Sequence, residues 1–137
     1  MPRQRFLLDT HILIWAVLLD PRLPKEARKI IEDAHNEIHY SAVAMWEVAL
    51  RHAKRPDMLA VSASDLMEYA AECGFYDTPL EERHTFLLDS LERPEGAPAH
   101  NDLFDRIMIC QAKAEDMVLI THDARIAEYD EPCVLYV

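Results

Sequence analysis

Short apolar runs that end in a polar or acidic residue alternate with helical stretches along the whole chain, and this alternation constrains the fold more than any other feature. Arg5-Phe6-Leu7-Leu8-Asp9 reads as a strand ending in an acid, and a helix follows from Thr10. A second helix is predicted from Pro24 to about Asn36, with Ala27, Ile30, Ile31 and Ala34 at helical spacing, before the strand Ile38-His39-Tyr40. Ser41 is placed to cap a helix from Ala42 to about Arg55, stopped by Pro56, and Ser62 or Ser64 to cap another that Gly74 ends after Cys73. A strand over 75–78, a helix over 80–91 and a Pro- and Gly-containing loop over 93–100 come next. Asp102 opens a helix to about Asp116, Met117-Val118-Leu119-Ile120-Thr121 is a strongly apolar strand, and a short helix over 124–128 leads to a final edge strand over 134–137.

The pattern predicts an α/β fold, a parallel β-sheet sandwiched by α-helices, with its ligand crevice at the carboxyl ends of the strands. A length of 137 residues suits one domain over 1–137.

Composition then removes whole classes of function. The only glycines are Gly74 and Gly96, so neither a dinucleotide-binding glycine turn nor a P-loop can be built. Fourteen Lys and Arg against 25 Asp and Glu leave a net charge of −11, which argues against gripping nucleic acid by bulk positive charge. Any such contact must be local or metal-mediated. Cys73, Cys110 and Cys133 are odd in number and set among apolar neighbours, so they read as small core residues in a reducing compartment. The longest apolar run, over 12–19, is far short of the roughly 20 residues of a membrane helix, and Asp9 interrupts any signal-like segment. A soluble cytoplasmic protein without a membrane partner is expected.

Four acids stand where burial would not ask for one: Asp9 after the first strand, Glu47 in an apolar helix, Asp105 near a helix start, and Asp123 after a strand. Each also has a structural use. Asp9 and Asp123 can cap helices, Asp105 can complete a capping box opened by Asp102, and Glu47 can pair with Arg51 one turn on. Jointly they suggest more, because Asp9 and Asp123 lie just beyond strand carboxyl ends and the helices bearing Glu47 and Asp105 can flank the same crevice. Clustered carboxylates need a cation, and Mg²⁺ or Mn²⁺ takes all-oxygen ligands. No zinc spacing occurs among the seven histidines, of which His11 and His100 adjoin the proposed acids. Trp15 and Trp46 sit in apolar runs and read as core or subunit-interface residues rather than base-stacking platforms.

Four blocks in this order, Leu7-Leu8-Asp9-Thr10-His11, Ser41-Ala42 with Trp46-Glu47-Val48-Ala49, Asp102-Leu103-Phe104-Asp105-Arg106, and Leu119-Ile120-Thr121-His122-Asp123, resemble the PIN-domain ribonucleases, and among them the VapC-type toxins. The resemblance implies an endoribonuclease dependent on Mg²⁺ or Mn²⁺, a homodimer, and neutralisation by a small VapB-like antitoxin. It maps the family's acidic site onto Asp9, Glu47, Asp105 and Asp123, as both catalytic and metal-holding residues, with Thr121 as a hydroxyl neighbour. Where the family often carries Pro between the two aspartates of the third block, this chain has Leu103.

The chemistry is coherent, since a carboxylate-held ion lowers the pKa of a bound water and clamps the scissile phosphate for in-line attack. Arg51, Lys54 and Arg106 are candidate contacts to RNA phosphates. An aspartyl-phosphate enzyme fits less well, because a second Asp is wanted two residues after Asp9, where His11 stands. The other alternative is a catalytically silent PIN-like binding module whose acids are caps and ion pairs.

Overall fold

A computed structural model of the chain describes residues 3–59 and 61–137. Five parallel strands, β1 (Arg5–Leu8), β2 (Glu37–Ser41), β3 (Tyr76–Thr78), β4 (Val118–Thr121) and β5 (Val134–Tyr136), form one sheet in the order β3-β2-β1-β4-β5. Every connection is a crossover, so helices cover the sheet. They are α1 (Thr10–Val17), α2 (Lys25–Glu32), α3 (Ala42–Lys54), α4 (Ala63–Glu72), α5 (Glu82–Thr85), α6 (Leu103–Glu115) and α7 (Ala124–Ala127). Phe6, Leu7 and Leu8 of β1 and Leu119, Ile120 and Thr121 of β4 are all buried. Successive strand residues point to opposite faces, so unbroken burial requires cover on both. Right-handed crossovers put α1 to α4 on one face and α5 to α7 on the other. Packing of α1 and α3 on α4, and of α5 on α6, agrees with that division.

From β1 the chain runs outward through β2 to β3, then returns to β4 on the other side of β1. The strand order therefore reverses between β1 and β4, and there the diverging connections open a crevice at the carboxyl ends.

Caps explain several boundaries. Ser41 accepts from the Val43 amide, Ser62 rather than Ser64 caps α4, and Asp102 accepts from the Asp105 amide to start α6. Two expected helices are shorter than their apolar spacing suggested. α2 stops at Glu32, because Asp33 turns outward to accept the His35 amide at 2.9 Å while Asn36 Nδ2 donates at 2.9 Å to the Ile30 carbonyl, a last-turn acceptor. The helix expected over 80–91 breaks into α5 and a 3₁₀ turn at Leu88–Ser90. There Thr85 and Ser90 hydroxyls donate at 2.7 Å to the Glu82 and Leu87 carbonyls, competing with continued helical bonding.

Two burial expectations are also corrected. Cys73 is exposed while Cys110 is buried. α3 is amphipathic rather than buried all round: Val43, Ala44, Glu47 and Val48 face inward, whereas Trp46 is 57% exposed. No helix among the described residues is long and apolar enough to cross a membrane.

Candidate metal centre

Asp9 directly follows β1 and Asp123 follows β4 by two residues, so the topological reversal itself brings them together. Asp9 is 4% exposed, which makes its partners decisive. Its Oδ1 accepts from the Thr10 amide at 2.8 Å, and its Oδ2 accepts from the Thr121 hydroxyl at 2.8 Å. Thr121 Oγ1 in turn accepts from the Asp123 amide at 3.0 Å, so one hydroxyl fixes both acids.

Glu47 reaches the same crevice from the inward face of α3. Its Oε1 accepts from Thr10 Oγ1 at 2.8 Å, and Arg51 pairs with Oε2 at 2.5 Å. Thr10 therefore links Asp9 to Glu47 through its amide and its hydroxyl. Asp105, on the first turn of α6, is buried with its Oδ2 3.2 Å from His100 Nε2. The other ring nitrogen, Nδ1, lies 2.8 Å from the Tyr129 hydroxyl. Burial, and then the charge of Arg125, hold the His100 pKa below its ordinary value. When a bound cation keeps Asp105 ionised, the neutral ring would donate to it from Nε2 and accept from Tyr129 at Nδ1.

The electrostatics of the crevice are those of crowded acids. Burial pushes Asp105 up to about 8, with Asp9, Asp102, Asp123 and Glu47 each adding to the rise. Asp9 rises to about 6, again chiefly through burial, although the Thr121 and Thr10 hydrogen bonds pull it back down. A hard divalent cation suits this all-oxygen donor set, because it stabilises the ionised forms that the carboxylates deny one another.

The sequence reading takes Asp102 as the cap of the third block and Asp105 as the metal-holding acid. Asp102 spends its carboxylate on the Asp105 amide, while Asp105 lies against His100 and feels the charges of the other acids. Caps and pairs account for the remaining three, since Asp123 also accepts from the Arg125 amide. Of the proposed phosphate contacts, Arg51 is held by Glu47, Lys54 is exposed at the end of α3, and Arg106 is half-buried. Tyr129 was missed, because nothing in its own stretch, Glu128-Tyr129-Asp130, signals its reach to His100. Thr10 was quoted only as a neighbour of Asp9, and nothing local signals its reach to Glu47.

The described residues contain one triad whose ligand atoms all lie within 4.8 Å of one another, and it is elsewhere: Glu81, His84 and Glu115. Its groups already satisfy each other. His84 Nδ1 accepts from the Glu81 amide at 3.0 Å, which leaves the proton on Nε2 to donate to Glu115 at 2.9 Å. Arg83 pairs with both glutamates, so the triad ties α5 to α6. A cleft of about 780 Å³ between Arg5, Lys113 and Cys133 is likewise far from the acids, at the amino ends of β1 and β4.

A family model described as PIN domain matches residues 6–132. Three solved structures share the fold at low identity. VapBC2 from Rickettsia felis, bound to a DNA fragment from its promoter, is 15% identical with a TM-score of 0.61, covering 98% of both chains. FitAB bound to an IR36 DNA fragment is 17% identical with a TM-score of 0.56, over 96% of this chain and 94% of that one. A domain of a functionally unknown protein from Methanocaldococcus jannaschii is 16% identical with a TM-score of 0.54, over 98% and 91%. No curated protein matches the sequence.

Proposed function

The chain belongs to the PIN domain family, and on that premise we propose that it is a Mg²⁺- or Mn²⁺-dependent endoribonuclease acting as the toxin of a toxin–antitoxin pair. PIN domains are generally nucleases, which supports a hydrolase. The observation that carries the reading is Asp105. Capping and ion pairing suffice for Asp9, Asp123 and Glu47, but the cap of α6 is Asp102, which leaves buried Asp105 with the uncharged His100 ring as its partner while four other carboxylates raise its pKa.

In this reading Asp9, Asp105, Asp123 and Glu47 would hold the metal, which would supply Lewis-acid activation of a water and charge neutralisation at the scissile phosphate. The chain's own residues do the positioning. Thr121 holds Asp9 Oδ2 and the Asp123 backbone through one hydroxyl. Thr10 and Arg51 fix the two oxygens of Glu47, so this acid turns toward the crevice without free rotation. His100, backed by Tyr129 at Nδ1, steadies Asp105 from Nε2. Arg51, Lys54 and Arg106 remain the proposed phosphate contacts.

Partners follow from the neighbours. VapBC2 and FitAB are described with promoter or IR36 DNA, which supports a VapB-like antitoxin as partner here, with the toxin itself a homodimer in the cytoplasm. One PIN-like domain spanning 1–137 is part of the same proposal.

Metal titration separates this reading from a silent binding module. Calorimetry with Mn²⁺ is expected to give saturable binding to the wild type that Asp9→Asn loses; the absence of binding to the wild type selects the module.

A further inference from the structure

Rings wall the cleft beside the four acids. The cleft holds about 320 Å³ and is lined by Asp9, His11, Trp15, His122, Asp123 and Ala124, at the small end of the range for ligand pockets of about 300–1,000 Å³. His11 and Trp15 have centroids 5.7 Å apart, Trp15 and His122 6.0 Å apart in an edge-on arrangement. His122 then stacks on Tyr136 at 5.6 Å with planes within 6° of parallel. The strip thus runs from α1 across the end of β4 to the β5 edge. Its position is fixed: α1 presents His11 and Trp15 one turn apart, and His122 Nδ1 lies 2.5 Å from the Val137 backbone oxygen, which orients the ring.

We propose that this strip is a nucleobase platform, which stacks a base of single-stranded RNA while the adjoining phosphate faces the carboxylates. The proposal rests on the nuclease reading of the four acids. Three features point to it. Asp9 and Asp123 belong to both the acid cluster and the cleft, so a base lodged there lies within one nucleotide of the proposed reacting phosphate. His11 and His122 are exposed, and Tyr136 is 49% exposed, so these rings are not consumed by the core. Stacking needs no positive charge and contributes roughly ten- to a hundredfold in affinity per base, which suits a chain of net charge −11. Arg22 lies over Trp15, 5.5 Å from the ring centroid, and brings one cation to the rim. Trp15 packs against the core, as its apolar run suggests, while its half-buried ring also lines the open cleft.

The test uses Trp15 as its own reporter, in a Trp46→Phe, Asp105→Asn protein titrated in Mg²⁺ with a short single-stranded oligoribonucleotide and with an abasic chain of the same length. The platform predicts saturable quenching of Trp15 by the base-bearing chain only. His11→Ala and His122→Ala are each expected to weaken that binding about tenfold with unchanged circular dichroism. Equal binding of the abasic chain, binding without quenching, no binding of either chain, or insensitivity to both alanine variants would overturn the platform. Cleavage that persists in Asp105→Asn would defeat the acidic-site reading while leaving a base-dependent quench intact, so the two failures are distinguishable.

Discussion

The Thr121 hydroxyl donates to Asp9 Oδ2 at 2.8 Å across the seam where the strand order reverses, and the same oxygen accepts the Asp123 amide at 3.0 Å. One buried side chain thereby sets two of the four acids. Thr121→Val keeps the shape but removes the donor and the acceptor. It is expected to destabilise the protein by about 1–3 kcal/mol. It also raises the Asp9 pKa further, because the lost bond is one that lowers it. Thermal melts and Mn²⁺ calorimetry check both effects, and Thr121→Ser is expected to restore most of each.

Asp102 and Asp105 share a helix turn and have opposite fates. Asp102→Ala loses the cap of α6, for about 1 kcal/mol of stability, and leaves metal-dependent cleavage largely intact. Asp105→Asn abolishes cleavage and weakens Mn²⁺ binding, while metal-free stability holds or rises as one crowded carboxylate is removed. Paired melts and cleavage assays decide it. An active Asp105→Asn beside an inactive, stable Asp102→Ala would reverse the assignment.

Stability without metal is expected to fall as pH rises. Asp9 and Asp105 go from 3.8 to about 6 and about 8 on folding, so the native state binds more protons than the unfolded chain within that window. Their contribution is intact below the unfolded value and is lost as pH passes first the one folded pKa and then the other. The loss is on the order of a few kcal/mol. In EDTA the wild-type melting temperature should drop from about pH 5 to about pH 9 more steeply than that of Asp105→Asn, and saturating Mg²⁺ should oppose the drop. Parallel profiles for the two proteins would contradict the assignment of the slope to Asp105.

Self-association is expected through the apolar surface that α3 and α6 leave uncovered. Trp46 packs edge-on against Phe104 at 4.9 Å yet is 57% exposed, with Leu103 61% and Leu50 41% exposed. These side chains make a contiguous candidate patch. Light scattering should give a dimer for the wild type and a 15.8 kDa monomer for Trp46→Glu; a wild-type monomer across micromolar concentrations would refute it.

Much of this was legible in the sequence for definite reasons. Phe6-Leu7-Leu8 and Val118-Leu119-Ile120 are apolar without alternation, which marks strands buried on both faces, and Ser41 and Asp102 announce their helices by capping chemistry. The positions of Asp9 and Asp123 just beyond their strands point to the crevice from sequence alone. What stayed hidden depends on tertiary contacts. The Thr10 to Glu47 bond spans 37 residues and that of His100 to Tyr129 spans 29, so no local pattern encodes them. The shortening at 80–91 arises because Thr85 and Ser90 turn their hydroxyls back on the chain, a competition that apolar spacing does not register.

The central claim is that Asp9, Glu47, Asp105 and Asp123 together hold a metal that cleaves RNA, and cleavage of a labelled single-stranded RNA by purified protein tests it most directly. The account predicts cutting in Mg²⁺ or Mn²⁺ that stops in excess EDTA, returns when metal is restored, and is absent from Asp9→Asn prepared in parallel. Undiminished cleavage in excess EDTA, or equal cleavage by Asp9→Asn, would contradict it.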